Sequence, residues 1–355
     1  MRTRNVLHAL SIVCAGIAAL PNASSAEFSW QLAGDGRRQE VGDLLEVDGA
    51  AVSATYFFRP VDEEVGPYAL AAFLNRSSRL GVSVHSDEER RSATFSLFGV
   101  PRTVTSADAM DGYSASGRYV WRDSGWYAGG GIADAHGDPP ASTCFERDRE
   151  LRGASVHAGK YLGRATSIEL SAATTEMTEE IVLLCPLFSP FSSPVLFGPD
   201  LQSNEATLSV LHVGALGGLT YAITGEASSS RADLSFVPAS YGPPTPTSLP
   251  PAGLVIVGGG VAAPPVGSFA QLLRDRFQTY SAGAELFPTM RLGIRLGYSR
   301  WDEDPVRDEG YELATTWFFQ RNIAARFAFA RTTQNVFDPS LRDADSVVLQ
   351  LIGRF

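Results

Sequence analysis

Ser155 and His157 come nearest in this chain, by type and spacing, to a nucleophile with its base. Hydrolysis or acyl transfer needs such a pair within hydrogen-bond reach, with the base usually oriented by a carboxylate. Two-residue spacing on an extended chain puts both side chains on one face, but too far apart to pair. His85, His136 and His212 stand in no motif. No catalytic residue is assigned, and an enzyme is the weakest of the functions weighed below. Cys144 and Cys185 offer a disulfide, against two unpaired or buried thiols; a metal would want more ligands than their surroundings supply, so none is expected. Gly258-Gly259-Gly260 has no following helix to make a phosphate cradle, and no cofactor is expected.

The remaining chemistry is ionic, carried by Arg79, Arg118, Glu169, Glu226, Glu285, Arg291, Arg295, Glu312, Arg326 and Arg354. Each stands on the parity opposite to a row of apolar side chains, and the elements that carry them explain why. Val347, Leu349, Leu351 and Phe355 alternate with Ser346, Gln350 and Arg354. Met290, Leu292, Ile294, Leu296 and Tyr298 alternate with Arg291, Gly293, Arg295, Gly297 and Ser299. Ile323, Ala325, Phe327 and Phe329 do so with Asn322 and Arg326, as do Tyr311, Leu313 and Trp317 with Glu312 and Thr316. A strand sends successive side chains to opposite faces, so each segment is a strand with one oily and one wet face.

Connections alternate between short and long. Arg122-Asp123-Ser124, Gly163-Arg164, Gly217-Gly218, Pro288-Thr289 and Gln320-Arg321 read as tight turns. Ala135 to Glu150, Glu179 to Ser203, Arg231 to Asp275, Trp301 to Asp308 and Gln334 to Asp343 read as long loops. Short turns on one rim and long loops on the other describe a membrane-spanning barrel. Counting back from Phe355 places strands near 344–355, 322–333, 309–319, 290–300, 276–288, 219–230, 203–216, 165–177, 151–162, 125–134 and 113–121, with three more near 78–98, 47–58 and 28–33. The fold class is therefore all-β, a transmembrane antiparallel up-and-down β-barrel of about fourteen strands, with twelve and sixteen also compatible. Between His85 and Arg91 the apolar parity slips, which a bulge or small hairpin would produce. Tyr68 to Leu74 reads either as a turn-forming helix or as the start of the next strand. Aromatic clusters such as Tyr56-Phe57-Phe58, Trp126-Tyr127 and Trp317 to Phe319 fall near strand ends, where headgroups favour them.

Residues 1–26 have the layout of an export signal, with Arg2 and Arg4, an apolar run from Val6 to Leu20, and Ser24-Ser25-Ala26 before the cut. The apolar run is shorter than the roughly 20 residues that span a bilayer. Residues 27–355 then form the barrel, with 231–275 its largest outer loop. Charged residues make up 19% of the 355, with Lys+Arg 29 against Asp+Glu 39. Such an acidic chain offers no basic surface for nucleic acid. Both cysteines fall in outer loops flanking one strand pair, where an oxidising surface favours a disulfide.

These features together resemble the Gram-negative outer-membrane β-barrels. The terminal strand, alternating back from Phe355, is similar to the assembly signal of that group, although Gly353 is small where a larger apolar residue is usual. Tyr56-Phe57-Phe58-Arg59-Pro60-Val61, followed by Gly66 to Arg76, resembles the amino-terminal block of a putative porin family. The resemblance implies outer-membrane lipids and the barrel-assembly machinery as partners, residence in the outer membrane of a Gram-negative bacterium, and a homotrimer or a monomer.

If the oily parity faces lipid, the ten ionic residues line the interior. The expectation is a porin-like channel for passive diffusion of small hydrophilic solutes or ions. Arg291, Arg295 and Arg326 suggest a basic patch and a mild anion preference, against the alternative that such arginines pair with neighbouring glutamates and pack the lumen. A non-conducting surface or structural barrel is the second reading, since fold alone does not decide function; an outer-membrane hydrolase is the third.

Overall fold

Residues 27–41, 45–97, 100–138, 145–183, 195–237, 277–303, 306–333 and 343–355 are described by a computed structural model. Fourteen strands run in chain order: β1 Glu27–Val41, β2 Leu45–Asp62, β3 Arg79–Leu97, β4 Val100–Trp121, β5 Trp126–Asp138, β6 Phe145–Leu162, β7 Thr166–Leu183, β8 Val195–Leu216, β9 Leu219–Val237, β10 Phe277–Thr289, β11 Leu292–Glu303, β12 Val306–Gln320, β13 Ile323–Thr333 and β14 Asp343–Arg354. Each pairs antiparallel with its sequence neighbour, and β1 pairs with β14 from Gln31↔Arg354 to Val41↔Ala344, closing the cylinder. Closure gives every strand two partners, so no sheet edge is left to be satisfied in hydrocarbon.

The alternation seen in the sequence sorts side chains between the two faces. On β10, Tyr280, Ala282, Ala284 and Leu286 point outward and are exposed, while Ser281, Gly283, Glu285 and Phe287 point inward. The outer face is oily: Leu170 and Leu296 are each 62% exposed on the bare chain, and Val84, Ile132, Val156, Leu313 and Phe327 are similarly uncovered. Lipid is the solvent that makes such a surface stable. At the rim where Glu27 and Phe355 lie, Trp30, Phe58, Tyr119, Trp121, Trp126 and Trp317 are exposed on the outside. On β10–β12 a second tier of Tyr280, Tyr298 and Tyr311 marks where the oily zone ends, and Arg300, Asp302 and Glu309 follow beyond it.

Tight turns join the strands on this first rim, which the outer-membrane resemblance makes the periplasmic one. Gly217 and Gly218 have φ of 58° and 87°, the two positive values of the hairpin turn whose twist matches its strands, and only glycine enters them freely. Toward the other rim the strands run further than the alternation predicts. β6 begins at Phe145, β7 continues to Leu183, β8 begins at Val195 and β9 reaches Val237, so parts of the expected loops 135–150, 179–203 and 231–275 are strand. There the sequence mixes polar and apolar residues without alternation, and the period-two signal disappears while the ladder goes on. β3 and β4 pair residue for residue from Arg79↔Arg118 to Leu97↔Val100, so the bulge or hairpin expected between His85 and Arg91 is absent. Residues 1–26, Cys144, Cys185 and the loop portion 238–276 lie outside the described residues.

The exception on the periplasmic rim is the β2–β3 connection. Glu63–Val65 and Tyr68–Leu70 are 3-10 turns, and Ala71–Leu74 is a short helix, α1. Asp62 caps the first turn by accepting from the Glu64 N–H at 2.8 Å. Asn75 holds the exit, its side-chain amide donating to the carbonyls of Asp62 at 2.7 Å and Ala71 at 2.8 Å. The Tyr68 to Leu74 segment is thus helical rather than the start of a strand.

Candidate functional site

The interior divides into an open polar middle and an apolar periplasmic end. At mid-height the inward positions are small: Ser53, Gly81, Ser83, Ser114, Ser116, Ser155, Ser171, Ser209, Ser281, Gly283 and Ser299. Ser83 and Ser114 hydrogen-bond across adjacent strands at 2.7 Å. Side chains fill a barrel of about eight strands; fourteen strands lined by Ser and Gly enclose a lumen too wide for them to fill.

Against this polar wall stand most of the ionic residues named from the sequence. Arg118 on β4 reaches Glu169 on β7 and lies 4.5 Å from the centre of the Tyr127 ring. Tyr127 in turn lies over Gly159, where a Cβ would come within 2.4 Å of the ring, so glycine makes room for the aromatic. Arg295 and Arg326 both bind Glu312, at 3.7 and 3.2 Å, and Glu285 stands opposite Arg295 in the ladder. Glu226 faces inward beside Ser209 and Ser281. Arg79 is inward and directly opposite Arg118. Arg291 is the correction. Although its parity is inward, β11 starts only at Leu292, and Arg291 sits exposed on the periplasmic turn, where its carbonyl accepts from the Phe318 N–H at 2.8 Å. The expected patch of Arg291, Arg295 and Arg326 is therefore not assembled, and the two arginines that do meet are matched by a shared glutamate. Ser155 and His157 are both inward on β6; the His157 ring lies over Gly129.

The apolar end is built around the β2–β3 connection, which folds into the barrel mouth and touches its wall on several sides. Tyr68 packs on Phe318 (ring centres 5.6 Å apart), Ala324 and Ile352. Leu70 meets Val213, Ala222 and Phe287, while Phe73 meets Tyr161, 5.4 Å between ring centres, in the cluster with Val120 and Tyr127. Ala71 completes a cluster of Phe28, Phe57 and Val61. The Tyr68 N–H donates to the Met290 carbonyl at 3.0 Å, Arg76 donates to the Gly163 carbonyl, and Arg321 lies 3.8 Å from Glu64. This segment is a plug.

Arg354 fastens the plug to the closing seam. Its guanidinium donates to Glu63 at 3.3 Å, to the Tyr68 carbonyl at 2.7 Å and to Gln31 of β1 at 3.1 Å, between the rings of Phe28 and Phe318 at 4.7 and 4.8 Å. Arg354 is 5% exposed. Burial pushes the Glu63 carboxyl above its ordinary pKa, and the nearby Arg354 charge pulls the other way without cancelling it. Phe355 continues the seam through its backbone, its N–H donating to the Trp30 carbonyl and its carbonyl accepting from Ser29 and Trp30, each at 2.8–3.0 Å.

Alternation alone does not predict the plug, yet the sequence holds a cue. In Tyr56-Phe57-Phe58, Trp126-Tyr127 and Trp317-Phe318-Phe319 the aromatics are consecutive, so alternation sends one of each group inward: Phe57, Tyr127 and Phe318 are buried inside, forming seats. Large apolar rings aimed into a polar lumen require an apolar occupant there.

No family model matches this chain, and no curated protein does. Solved structures do. A mutant of the monoaromatic hydrocarbon channel TodX superposes with TM-score 0.50 and 10% identity, over 93% of this chain and 90% of its own. The outer membrane protein Omp33 of Acinetobacter baumannii gives 0.46 and 14%, over 93% and 99%, and the Pseudomonas putida toluene transporter TodX 0.47 and 9%, over 95% and 92%. At such identities the likeness is one of fold, the closed antiparallel barrel of the bacterial outer membrane.

Proposed function

We propose that this protein is a porin-like channel of the Gram-negative outer membrane, passing small hydrophilic solutes or ions by passive diffusion, with its conductance set at the periplasmic plug. The observation that carries the reading is the small, polar lining of the middle of the lumen: a barrel that only held a surface in place would have no use for an unfilled aqueous interior. Two of the named structural neighbours are described as a monoaromatic hydrocarbon channel and a toluene transporter, which accords with this role. The lining residues are proposed to be Arg79, Arg118, Glu169, Glu226, Glu285, Arg295, Glu312 and Arg326, with Arg354 assigned to the plug and Arg291 left out.

The plug favours a second reading, a non-conducting barrel, because it crosses the one mouth described in full. Planar-bilayer recording decides between them. The intact chain is expected to show small or intermittent conductance, and a variant in which residues 63–76 are replaced by a two-residue Asn-Gly turn to show large, steady openings. A silent plug-less barrel that is inserted and folded would end the channel reading.

Assembly is proposed to start from β14 through Phe355, as the resemblance of that strand implies. The solutes themselves and lipid are the remaining partners in this reading.

A further inference from the structure

Next to the plug, the β3–β4 wall carries charge that the described residues leave unbalanced. Arg79 and Arg118 stand directly opposite one another, both inward, an arrangement that like charges resist. Arg118 has Glu169; its Nε is buried without a hydrogen-bond partner. Arg79 makes no side-chain ion pair among the described residues. Elsewhere the inward arginines are matched: Arg295 and Arg326 on Glu312 with Glu285 alongside, Arg37 on Asp87 at 2.7 Å, Arg354 on Glu63. Past Gly129 from Arg118 stands His157, whose buried Nε2 also lacks a partner. Two guanidiniums against one carboxylate leave a single positive charge beside unused donors.

We propose that Arg79 and Arg118, with His157 alongside, form a lumenal subsite for a small monocarboxylate. One excess charge calls for a monoanion, because a dianion would place new negative charge beside Glu169. A planar carboxylate also matches the guanidinium fork with two parallel hydrogen bonds. The acids Glu205 and Glu226 lie on β8 and β9, beyond Glu169, so the anion is drawn to the β3–β4 side. As a means of choosing solutes the subsite rests on the channel reading, whereas binding itself does not.

The test is titration of detergent-solubilised, folded protein with carbon-13-labelled acetate, following line broadening in a constant chloride background. Saturable broadening is expected for the wild type, at least tenfold weaker apparent affinity for Arg79→Gln, and no change for Arg291→Gln, which removes the same charge on the periplasmic turn. Absence of saturable binding, wild-type affinity in Arg79→Gln, or equal weakening in Arg291→Gln would each overturn the proposal. Should Arg79→Gln fail to fold, Arg79→Lys keeps the charge without the fork and is expected to weaken binding severalfold; unchanged affinity there overturns it too. Acetate binding by a silent barrel would sink only the channel reading, and conductance without acetate binding only the subsite.

Discussion

Nη1 of Arg354 lies 3.3 Å from Oε1 of Glu63, which ties the last strand of the barrel to the segment folded across its periplasmic mouth. The same guanidinium holds the Tyr68 carbonyl and Gln31, so one side chain joins β14, β1 and the plug.

Replacing Arg354 with Gln strands the Glu63 carboxylate and the Tyr68 carbonyl in a buried place. Removing one partner of such a pair costs about 3–5 kcal/mol. The urea midpoint of the folded barrel should fall, and protease should gain access to the chain near Arg76. Wild-type resistance to both would show that the seam does not depend on Arg354.

Glu63 should give stability a specific pH dependence. Its folded pKa is raised by burial, so the native state holds a proton more tightly than the unfolded chain. The contribution is greatest below the ordinary glutamate value of about 4.3, declines as pH rises through the interval up to the raised value, and is constant above it. Urea midpoints measured at stepped pH should show that decline, and Glu63→Gln should flatten it while lowering the midpoint at every pH, because it leaves the Arg354 charge buried without its partner.

Tyr68→Ala removes the ring that seats on Phe318 and Ala324, a loss of about 3–5 kcal/mol of plug docking where an aromatic is cut to alanine in a packed site. Single-channel records should show open probability rising at least tenfold. An unchanged record would mean that the plug does not set conductance.

Leu296 and Ser281 test which face meets lipid. Leu296 is outward in the middle of the oily zone, paired with Leu313; Ser281 is inward on the neighbouring strand. Leu296→Arg should cost about 2–4 kcal/mol in bilayer-folded protein, as arginine does near a midplane. Ser281→Arg should leave stability nearly unchanged while narrowing the lumen and lowering conductance. Equal costs would argue against the assignment of faces.

Gly214 has Tyr221 across from it in the ladder, and a Cβ there would lie 2.3 Å from the ring. Gly214→Ala should cost about 1–3 kcal/mol by overpacking. Tyr221→Ala in that background should recover part of the loss, seen as a non-additive double-mutant cycle in urea unfolding.

The barrel was legible because lipid on one side and water on the other write period two into every membrane-crossing segment, and β10 to β14 were placed within a few residues. Legibility faded where that contrast ends. Toward the outer ends of β6 to β9 the sequence no longer alternates between apolar and polar, so Glu179 and Asp200 read as loop although the ladder includes them. The ionic residues could be assigned a side but not a partner: nothing local says that Arg118 crosses two strands to Glu169, or that Arg291 falls one residue short of its strand. The plug escaped because its seats are scattered over the whole chain, from Phe28 to Ile352, and meet only after closure.

That scattering orders the events of folding. The plug belongs to the early β2–β3 connection, whereas its anchor at Arg354 and its socket at Phe318 and Ala324 lie near the other end of the chain. Until β14 reaches β1, the insert has no complete place to dock, so an unfinished cylinder stays unstoppered and only a finished one can be corked.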